Sequence, residues 1–430
     1  MDVQGDRTKP HANASNSTSV SAAPALDDNE EAVYGGLFVI GYNGCLPSGS
    51  RGRKRSKFLF TRRKEPNGVK KKCSSNFKTA QLSKAVKDST AFSISYEISK
   101  DETIVVEYED DKKTDMFQIG RANDKIIDFV VLDKYLEDNG KVHQSTVSRF
   151  AFRIIADRCD LSNVRLCAAG FDSRRNIILG VKAVKWKKDD DIDGLTTNGV
   201  LLSNPEGTFC GGELEASVWR EVSVCGSILS VRGSRSSQER GREIKNATNK
   251  LKDGSLIDIC GVTLLWRTAE GLKKSVTKEY IEGLISRLNC DSGGESSPTF
   301  LVVPRRNPSE TSEASESQQP YVYLNCGHVC GGSSLPATCP TCYKKSTAQK
   351  LCMGMEPAFY VDDITNDSDP KLFAFNPCGH IATEKTVKFW SEVPLPHGTC
   401  AYQAVCPFCA TELQGYPGYV YLKFNETLIE

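Results

Sequence analysis

The sequence of 430 residues lacks the features of most familiar enzyme and membrane classes. No apolar run approaches the roughly 18 residues that a membrane span requires, and the first residues do not resemble a signal peptide. We therefore expect a cytoplasmic protein with no membrane partner. The sequence also has no Gly-Lys-Ser/Thr phosphate loop, no nucleophile elbow and no His-Glu-x-x-His motif, so it carries no signature of nucleotide hydrolysis, serine hydrolysis or metallopeptidase chemistry.

An excess of charge of one sign is also missing. The 55 Lys and Arg residues balance 54 Asp and Glu residues, for a net charge of +1. We therefore expect no general affinity for polyanions and no nucleic-acid partner. Basic residues do cluster between positions 51 and 72, where we favour a solvated charged loop. A nucleic-acid contact or a nuclear signal in this block stays open, and with it a nuclear fraction of the protein.

Cysteine, in contrast, is abundant and unevenly placed. Of the 17 cysteines, nine lie between Cys326 and Cys409, together with three of the five histidines. A secreted disulfide framework would not need the histidines, and a cytosolic setting keeps thiols reduced. Metal binding is therefore the better explanation of the cluster.

One motif occurs twice in this region. Asn325-Cys-Gly-His328 leads to Cys339-Pro-Thr-Cys342, and Pro377-Cys-Gly-His380 leads to Cys406-Pro-Phe-Cys409. Each copy supplies a Cys-x-His pair and a Cys-x-x-Cys pair, which are ligands that tetrahedral zinc prefers. We predict two zinc ions with eight ligands, namely Cys326, His328, Cys339, Cys342, Cys378, His380, Cys406 and Cys409.

The pairing of these ligands is open at the level of sequence. Each copy could close its own Cys3His site. Alternatively, the pairs could alternate in a cross-brace, so that the two Cys-x-His pairs hold one ion and the two Cys-x-x-Cys pairs hold the other. We favour the cross-brace, although spacing alone does not decide between the two.

Residues 90 to 268 have an almost entirely β pattern. Short alternating or apolar runs are separated by Gly, Asn and Asp clusters, without helices of comparable length, which predicts a β-sandwich. Polar stretches at 134–146, 185–193 and 203–217 predict inserted loops. The predicted strands are 34–42, 58–60, 91–98, 103–108, 127–132, 150–155, 176–179, 219–224, 228–231 and 256–266.

Three loops of this region carry side chains suited to an anion. Phe117-Gln-Ile-Gly-Arg121 places an arginine after a strand, and Ser145-Thr-Val-Ser-Arg149 places hydroxyls and a second arginine before another. Gly194-Leu-Thr-Thr-Asn-Gly199 forms a polar turn. The planar fork of arginine donates two hydrogen bonds to a phosphate, and Ser, Thr and Asn can complete the oxygen coordination.

The order of these loops, followed by a strand at 253–259, resembles a forkhead-associated domain, a β-sandwich that binds phosphothreonine. Ala151 stands where such domains usually carry a structural histidine, and the interval from Arg149 to Asn198 is longer than usual. The resemblance implies a phosphate site lined by Arg121, Ser148, Arg149, Thr197 and Asn198.

The whole chain is therefore predicted to be mainly β. We expect a disordered segment at 1–32, a forkhead-associated-like sandwich with inserted loops and a closing helix at 33–290, a flexible linker at 291–320, and a small zinc-bound domain at 321–430. The closing helix rests on apolar residues at helical spacing from Tyr280 to Leu288. The linker is rich in Ser and Pro and should leave the C-terminal domain free to reorient.

The duplicated motif resembles a RING-type ubiquitin ligase domain. Joined to a forkhead-associated-like domain, it closely resembles the Pellino family, as do the segments that end at Gly271 (Leu-Leu-Trp-Arg-Thr-Ala-Glu-Gly) and Gly398 (Pro-Leu-Pro-His-Gly). The resemblance implies an E3 ubiquitin ligase that acts in Toll and interleukin-1 receptor signalling. It also implies two partners, a ubiquitin-charged E2 and phosphorylated receptor-associated kinases.

A ligase of this type works by orienting a thioester on its partner, so we expect no catalytic cysteine. Val329, Pro407 and Phe408 lie beside the ligand pairs and are predicted to contact the E2. Two other functions stay open. One is a phosphopeptide-binding scaffold without ligase activity, and the other is a nuclear zinc protein that uses the basic block on nucleic acid.

Overall fold

The computed structural model describes residues 32–42, 57–131, 134–136, 142–188, 191–207, 209, 214–215, 217–235, 237–275, 280, 283, 320–331, 336–353, 371–397 and 401–424. The predicted disordered segment and the predicted linker lie outside these residues, except for Ala32 and Pro320. Of the predicted closing helix, only Tyr280 and Gly283 are described, and both are helical. The four domain limits stay predictions.

The N-terminal part consists of strands with short helical turns. Its strands are β1 (Val33–Tyr42), β2 (Lys57–Thr61), β3 (Gly68–Phe77), β4 (Phe92–Glu97), β5 (Thr103–Asp111), β6 (Thr114–Gly120), β7 (Phe129–Val130), β8 (Lys134–Leu136), β9 (Val142–Gln144), β10 (Phe152–Asp157), β11 (Val164–Ala168), β12 (Asn176–Leu179), β13 (Lys185–Lys188), β14 (Asp191–Gly194), β15 (Leu201–Ser203), β16 (Glu206–Gly207), β17 (Leu214–Glu215), β18 (Arg220–Val222), β19 (Ile228–Ser230), β20 (Leu256–Asp258) and β21 (Val262–Thr268). Its helices are a 3-10 turn (Ala80–Leu82), α1 (Lys84–Lys87) and α2 (Ala269–Lys273).

The C-terminal part is also mainly β. Its strands are β22 (Pro320–Tyr323), β23 (Val329–Gly331), β24 (Ala348–Lys350), β25 (Cys352–Met353), β26 (Leu372–Phe375), β27 (His380–Thr383), β28 (Leu395–His397), β29 (Ala401–Gln403) and β30 (Tyr419–Tyr421), and its helix is α3 (Glu384–Glu392). The mainly β prediction is confirmed. Among the described residues, no helix combines the length and the apolar character needed to span a bilayer.

Two sheets of the N-terminal part form the predicted sandwich. A seven-stranded sheet has the order β19-β18-β15-β20-β21-β1-β2, and a four-stranded sheet has the order β11-β10-β6-β7. Side chains alternate between the two faces of each strand. Leu37 and Val39 of β1 and Trp266 of β21 therefore share one face, where they join Phe117 and Phe152 of the second sheet in a single apolar core.

A third sheet extends the domain beyond a plain sandwich. It has the order β12-β4-β5-β3 and its own core around Tyr96, Met116 and Phe171. Its edge strand β3 includes residues 70–72, for which the sequence predicts a charged loop. That prediction is wrong because β3 pairs with β5 along its length, and Lys70 lies 3.1 Å from Glu109 across the pair. Exposed lysines on an edge strand also discourage pairing with other chains.

The predicted inserted loops contain hairpins. Strands β8 and β9 pair within the first insertion, β13 and β14 within the second, and β16 and β17 within the third. The predicted strand at 256–266 is divided into β20 and β21 by a tight turn in which Cys260 and Gly261 both have positive φ. Leu256 pairs with Leu265 across this turn, so the two strands are antiparallel neighbours.

The second face of the seven-stranded sheet is apolar as well. Phe38 and Ile40 of β1, Leu201 of β15 and Leu265 of β21 lie on it, and they belong to a continuous apolar cluster that includes the core of the C-terminal domain. A sheet that is apolar on both faces needs a covering layer on each side. The C-terminal domain is part of that cover.

Two specific contacts join the domains. The rings of Phe209 and Phe389 meet edge to face with centroids 5.7 Å apart. The indole Nε1 of Trp219 donates a hydrogen bond of 2.8 Å to the carbonyl oxygen of Pro394, just after α3. The expectation that the C-terminal domain is free to reorient therefore does not hold, because the described parts on either side of the linker pack together.

We expect Phe209 and Phe389 to contribute jointly to stability. A double-mutant cycle with Phe209→Leu and Phe389→Leu should give a coupling of about 0.5–1.5 kcal/mol, the usual contribution of an aromatic pair beyond its buried area. The measurement is the free energy of unfolding in denaturant. Phe92, which packs against Phe171 in the third sheet, supplies the control. Phe92→Leu should be additive with Phe389→Leu, and additivity of the Phe209 pair as well would contradict the contact.

Candidate functional site

The eight predicted metal ligands form two separate groups. In the first, the donor atoms of Cys326, His328, Cys339 and Cys342 lie within 4.8 Å of one another. In the second, those of Cys378, His380, Cys406 and Cys409 do the same. Each copy of the motif thus gathers its own four ligands. The favoured cross-brace is wrong, and the tandem alternative is the arrangement observed.

Local backbone geometry brings each Cys-x-His pair to its site. Gly327 and Gly379 both have positive φ, and their N–H groups donate to the carbonyls of Tyr323 and Phe375 at 2.7 and 2.8 Å. A Cβ atom on Gly327 would lie 2.0 Å from a main-chain oxygen of β30, so the motif requires glycine there. These tight turns place each histidine beside its cysteine.

The Cys-x-x-Cys pairs have equally similar turns. Tyr343 and Ala410, the residues after the last cysteine of each copy, both have φ of 57°. Their N–H groups donate to the carbonyls of Cys339 and Cys406 at 2.9 and 2.7 Å. The two copies are thus the same local structure built twice.

The donor set fits a tetrahedral cation. Three cysteines and one histidine are frequent ligands of structural zinc, and sulfur atoms bound to one zinc lie about 3.8 Å apart, given a bond of about 2.3 Å. The Nδ1 atom of His328 already lies 3.5 Å from the sulfur of Cys339, and that of His380 lies 3.4 Å from the sulfur of Cys378.

Burial disfavours the thiolate at one cysteine of each cluster, whereas hydrogen bonds from neighbouring thiols lower the pKa of Cys409. Burial raises the pKa of Cys326 to about 12 and raises the pKa of Cys406 well above its usual range. A bound cation would reverse this preference, because thiolates and not thiols ligate metals. Both clusters could therefore hold a metal ion.

The predicted E2-contact residues differ in their accessibility. Phe408 is only 2% exposed and packs against Phe375 and His380, and Pro407 is also buried. A side chain buried in the core cannot contact a partner, so the structure does not support Pro407 and Phe408 as E2-contact residues. Val329 is half-buried and stays a prediction.

The first copy of the motif presents the accessible surface instead. Tyr343 is 76% exposed, whereas its counterpart Ala410 is buried. Pro340 is exposed as well, whereas its counterpart Pro407 is buried. The same turn therefore packs into the core in one copy and faces solvent in the other.

The predicted phosphate loops converge at the edge of the sandwich. The Arg121 guanidinium donates from Nε to the carbonyl of Val147 at 2.7 Å, and the Arg121 N–H donates to that of Ser148 at 3.2 Å. The side-chain amide of Asn198 donates to the hydroxyl of Ser148 at 3.1 Å and to the carbonyl of Thr146 at 3.0 Å. Arg121, Ser148 and Asn198 are thus brought together.

The two remaining candidates lie on the exposed side of these loops. Thr197 is exposed at the tip of its turn, next to Asn198. Arg149 is exposed, with its guanidinium 5.9 Å from the Phe150 ring centre. Gly120 permits the close approach of the first two loops, since a Cβ atom there would lie 2.0 Å from the carbonyl oxygen of Arg149. The arrangement offers two guanidinium groups and hydroxyls to an anion, with the Asn198 amide holding Ser148 in place.

Sequence reasoning missed two arginines that bind the main chain of the Asn198 loop. Arg232 donates from Nη2 to the carbonyl of Thr196 at 3.0 Å and is ion-paired with Glu221 at 2.7 Å. Arg235 donates from Nη1 to the carbonyl of Asn198 at 3.0 Å and is ion-paired with Asp258.

A signal for one of these pairs is present in the sequence. Asp258 follows Leu256 and Ile257 on an otherwise apolar strand, and a buried carboxylate requires a partner. Burial raises the pKa of Asp258, and the opposing charge of Arg235 acts to lower it. A cation close to Asp258 was therefore to be expected, although the sequence does not indicate which one.

Comparison with known proteins agrees with both domains. The family model described as "Pellino, FHA domain" matches residues 25–284, and the model described as "Pellino, RING domain" matches residues 287–429. The predicted forkhead-associated-like and RING-like domains are confirmed by these matches.

Full-length relatives give the same result. "Protein pellino" of Drosophila melanogaster is 49% identical over 93% of this chain and 95% of its own length. "E3 ubiquitin-protein ligase pellino homolog 2" of Homo sapiens is 46% identical over 92% of this chain and 96% of its own length. "E3 ubiquitin-protein ligase pellino homolog 3" of Mus musculus is 41% identical over 99% and 98%. The chain belongs to the Pellino family.

Proposed function

We propose that this protein is a RING-type E3 ubiquitin ligase that selects phosphothreonine-bearing proteins through its forkhead-associated domain. The observation that carries the proposal is the presence, in one chain, of a RING domain with two Cys3His clusters and a sandwich edge where Arg121, Ser148 and Asn198 meet. RING domains belong to proteins that recruit a ubiquitin-charged E2. The edge of the sandwich has the hydrogen-bond donors that a phosphate needs.

The RING domain contributes by positioning. The four ligands of each cluster would hold one zinc ion, which would cross-link loops that a small core alone would leave mobile. The ligand thiolates are then occupied, so no cysteine of the motif serves as a nucleophile. The domain would hold an E2 so that a substrate lysine reaches its thioester, and orientation of this kind can lower a barrier by several kcal/mol.

The forkhead-associated domain contributes selection. Arg121, Arg149 and the Ser148 hydroxyl would bind phosphate oxygens, and Thr197 and Asn198 would hold the neighbouring main chain. Phosphorylated receptor-associated kinases of Toll and interleukin-1 receptor signalling are the docking partners that fit this proposal, with the protein in the cytoplasm. The proposal gives the 51–72 block no part; its Lys70, Lys71 and Lys72 lie on β3, an edge strand of the third sheet.

The ligase activity is tested by autoubiquitination of the metal-loaded full chain with a panel of E2 enzymes. We expect ubiquitin chains with at least one E2. If no E2 produces chains, the scaffold without ligase activity becomes the better description.

A variant of Tyr343 makes the same assay more specific. Because its side chain is exposed beside the first metal cluster, Tyr343→Ala should reduce chain formation while both metal ions are retained. Tyr416→Ala is the matched control, since Tyr416 is also an exposed tyrosine of this domain. Equal activity of the two variants would remove Tyr343 from the E2 surface.

Metal analysis of cysteine pairs tests the tandem arrangement. The wild-type chain should contain two zinc ions, one for each cluster. Cys326→Ser with Cys339→Ser should leave one ion, because both residues belong to the first cluster. Cys326→Ser with Cys378→Ser should leave none, because the two belong to different clusters. A cross-brace gives the reverse result for the two pairs.

Phosphopeptide binding tests the selection step. Arg121→Ala and Asn198→Ala should each weaken binding of a phosphothreonine peptide about tenfold or more, because each removes hydrogen bonds at a charged group. Isothermal titration on the full chain measures the change. Arg174→Ala removes an exposed arginine elsewhere on the domain and should have no effect. Wild-type affinity in both site variants would mean that the phosphate site is misplaced.

A further inference from the structure

Arg235 binds the main chain of the Asn198 loop although it belongs to none of the phosphate-site motifs. Its Nη1 donates to the carbonyl oxygens of Asn198 at 3.0 Å and Gly199 at 3.4 Å. Its Nη2 is ion-paired with Asp258. The pair is well shielded, since the Arg235 side chain is 13% exposed and that of Asp258 is 0% exposed.

Asp258 connects this arginine to the other side of the phosphate site. The N–H of Cys260, in the turn after β20, donates to Asp258 Oδ1 at 3.1 Å. The carbonyl of the same Cys260 accepts a hydrogen bond from the Thr146 hydroxyl. The carbonyl of Thr146 in turn accepts the side-chain amide of Asn198 at 3.0 Å.

These contacts form a closed ring. It runs from Arg235 through Asp258, Cys260 and Thr146 to Asn198, and it returns to Arg235 at the Asn198 carbonyl. The ring joins two loops that lie about 50 positions apart in the sequence, one with Ser148 and one with Asn198. The ring therefore connects Arg235 to the Asn198 amide that contacts Ser148.

The guanidinium group suits this role better than any other side chain. It donates in two directions from one rigid plane, to main-chain oxygens and to a carboxylate at the same time. An ammonium group at this position keeps the charge beside Asp258, but it is a single donor centre on a flexible stem. A lysine at position 235 would therefore keep the ion pair with Asp258 but would lose contacts with the carbonyl oxygens of the Asn198 loop.

We propose that Arg235 is a positioning residue of the phosphothreonine site, which holds the Asn198 amide in register with Ser148 through the ring of hydrogen bonds. The inference rests on the proposed phosphothreonine binding and adds a residue that acts through Asn198 and does not touch the phosphate. Asp258 is the buried anchor of the same ring.

The test compares Arg235→Lys with Arg242→Lys in the full, metal-loaded chain. Arg242 is an exposed arginine of the same segment and serves as the matched control. The probe is a phosphothreonine peptide mixture with randomised flanking positions, beside the same mixture unphosphorylated. We expect Arg235→Lys to weaken phosphopeptide binding about tenfold, from lost hydrogen bonds to a charged donor, while Arg242→Lys binds as wild type does.

A double-mutant cycle with Asn198→Ala separates positioning from general support of the fold. If Arg235 acts through Asn198, Arg235→Lys should cause no further loss of affinity once Asn198 is alanine. A purely structural role would instead add its effect to that of Asn198→Ala and lower the melting temperature well below that of Arg242→Lys.

The outcomes are distinct. Wild-type affinity of Arg235→Lys, or additive losses in the cycle, would overturn the positioning role and leave phosphothreonine binding intact. If the wild-type chain does not discriminate between phosphorylated and unphosphorylated peptides, the proposed function fails and the positioning role fails with it. Should Arg235→Lys not fold, Arg235→Gln with Asp258→Asn replaces it, because this pair removes both charges and keeps a hydrogen bond, and the same loss is expected.

Discussion

The seven-stranded sheet has to be covered on both faces, and the arrangement of the whole described chain follows from that constraint. Alternation along β1 sends Leu37 and Val39 into the sandwich and Phe38 and Ile40 to the other side. Burying large apolar side chains contributes about 1.5–3 kcal/mol each, so neither face can be left in water without a large loss. The sandwich partner covers one face, and the C-terminal domain takes part in covering the other.

This constraint joins the forkhead-associated domain to the RING domain. Phe209 and Trp219 of the first domain contact the second. Trp219 precedes Glu221 by two residues, and Glu221 holds Arg232 against the carbonyl of Thr196. The two domains therefore share one continuous apolar cluster.

The sequence was sufficient to identify features that depend on local spacing. The Cys-x-His and Cys-x-x-Cys pairs act over two or three residues, so all eight ligands could be named, and the Arg121, Ser148 and Asn198 loops could be found because each lies at a strand end. Features that depend on distant parts of the chain were not accessible. Spacing alone could not decide which pairs share a site, nor could it show that Phe408 is buried against Phe375.

The polarity of a segment was a misleading guide to its secondary structure where tertiary contacts decided the outcome. The sequence of β3 suggests a charged loop because it contains a run of lysines. In the structure its backbone pairs with β5 from Gly68 to Phe77. Asp258 ends an apolar strand, and only the fold shows that it is buried and that the cation beside it is Arg235.

The two copies of the metal motif have the same backbone turns but differ in the exposure of their side chains. They therefore cannot tolerate the same substitutions. In the second copy, Phe408 fills space in the core, so a smaller residue such as the threonine at the matching position, Thr341, would leave a cavity. In the first copy, Pro340 and Tyr343 are exposed and Thr341 is half-buried, so side-chain volume is less constrained there. Exchanging the two Cys-x-x-Cys segments would keep every metal ligand and still damage the protein twice, once in its core and once on its surface.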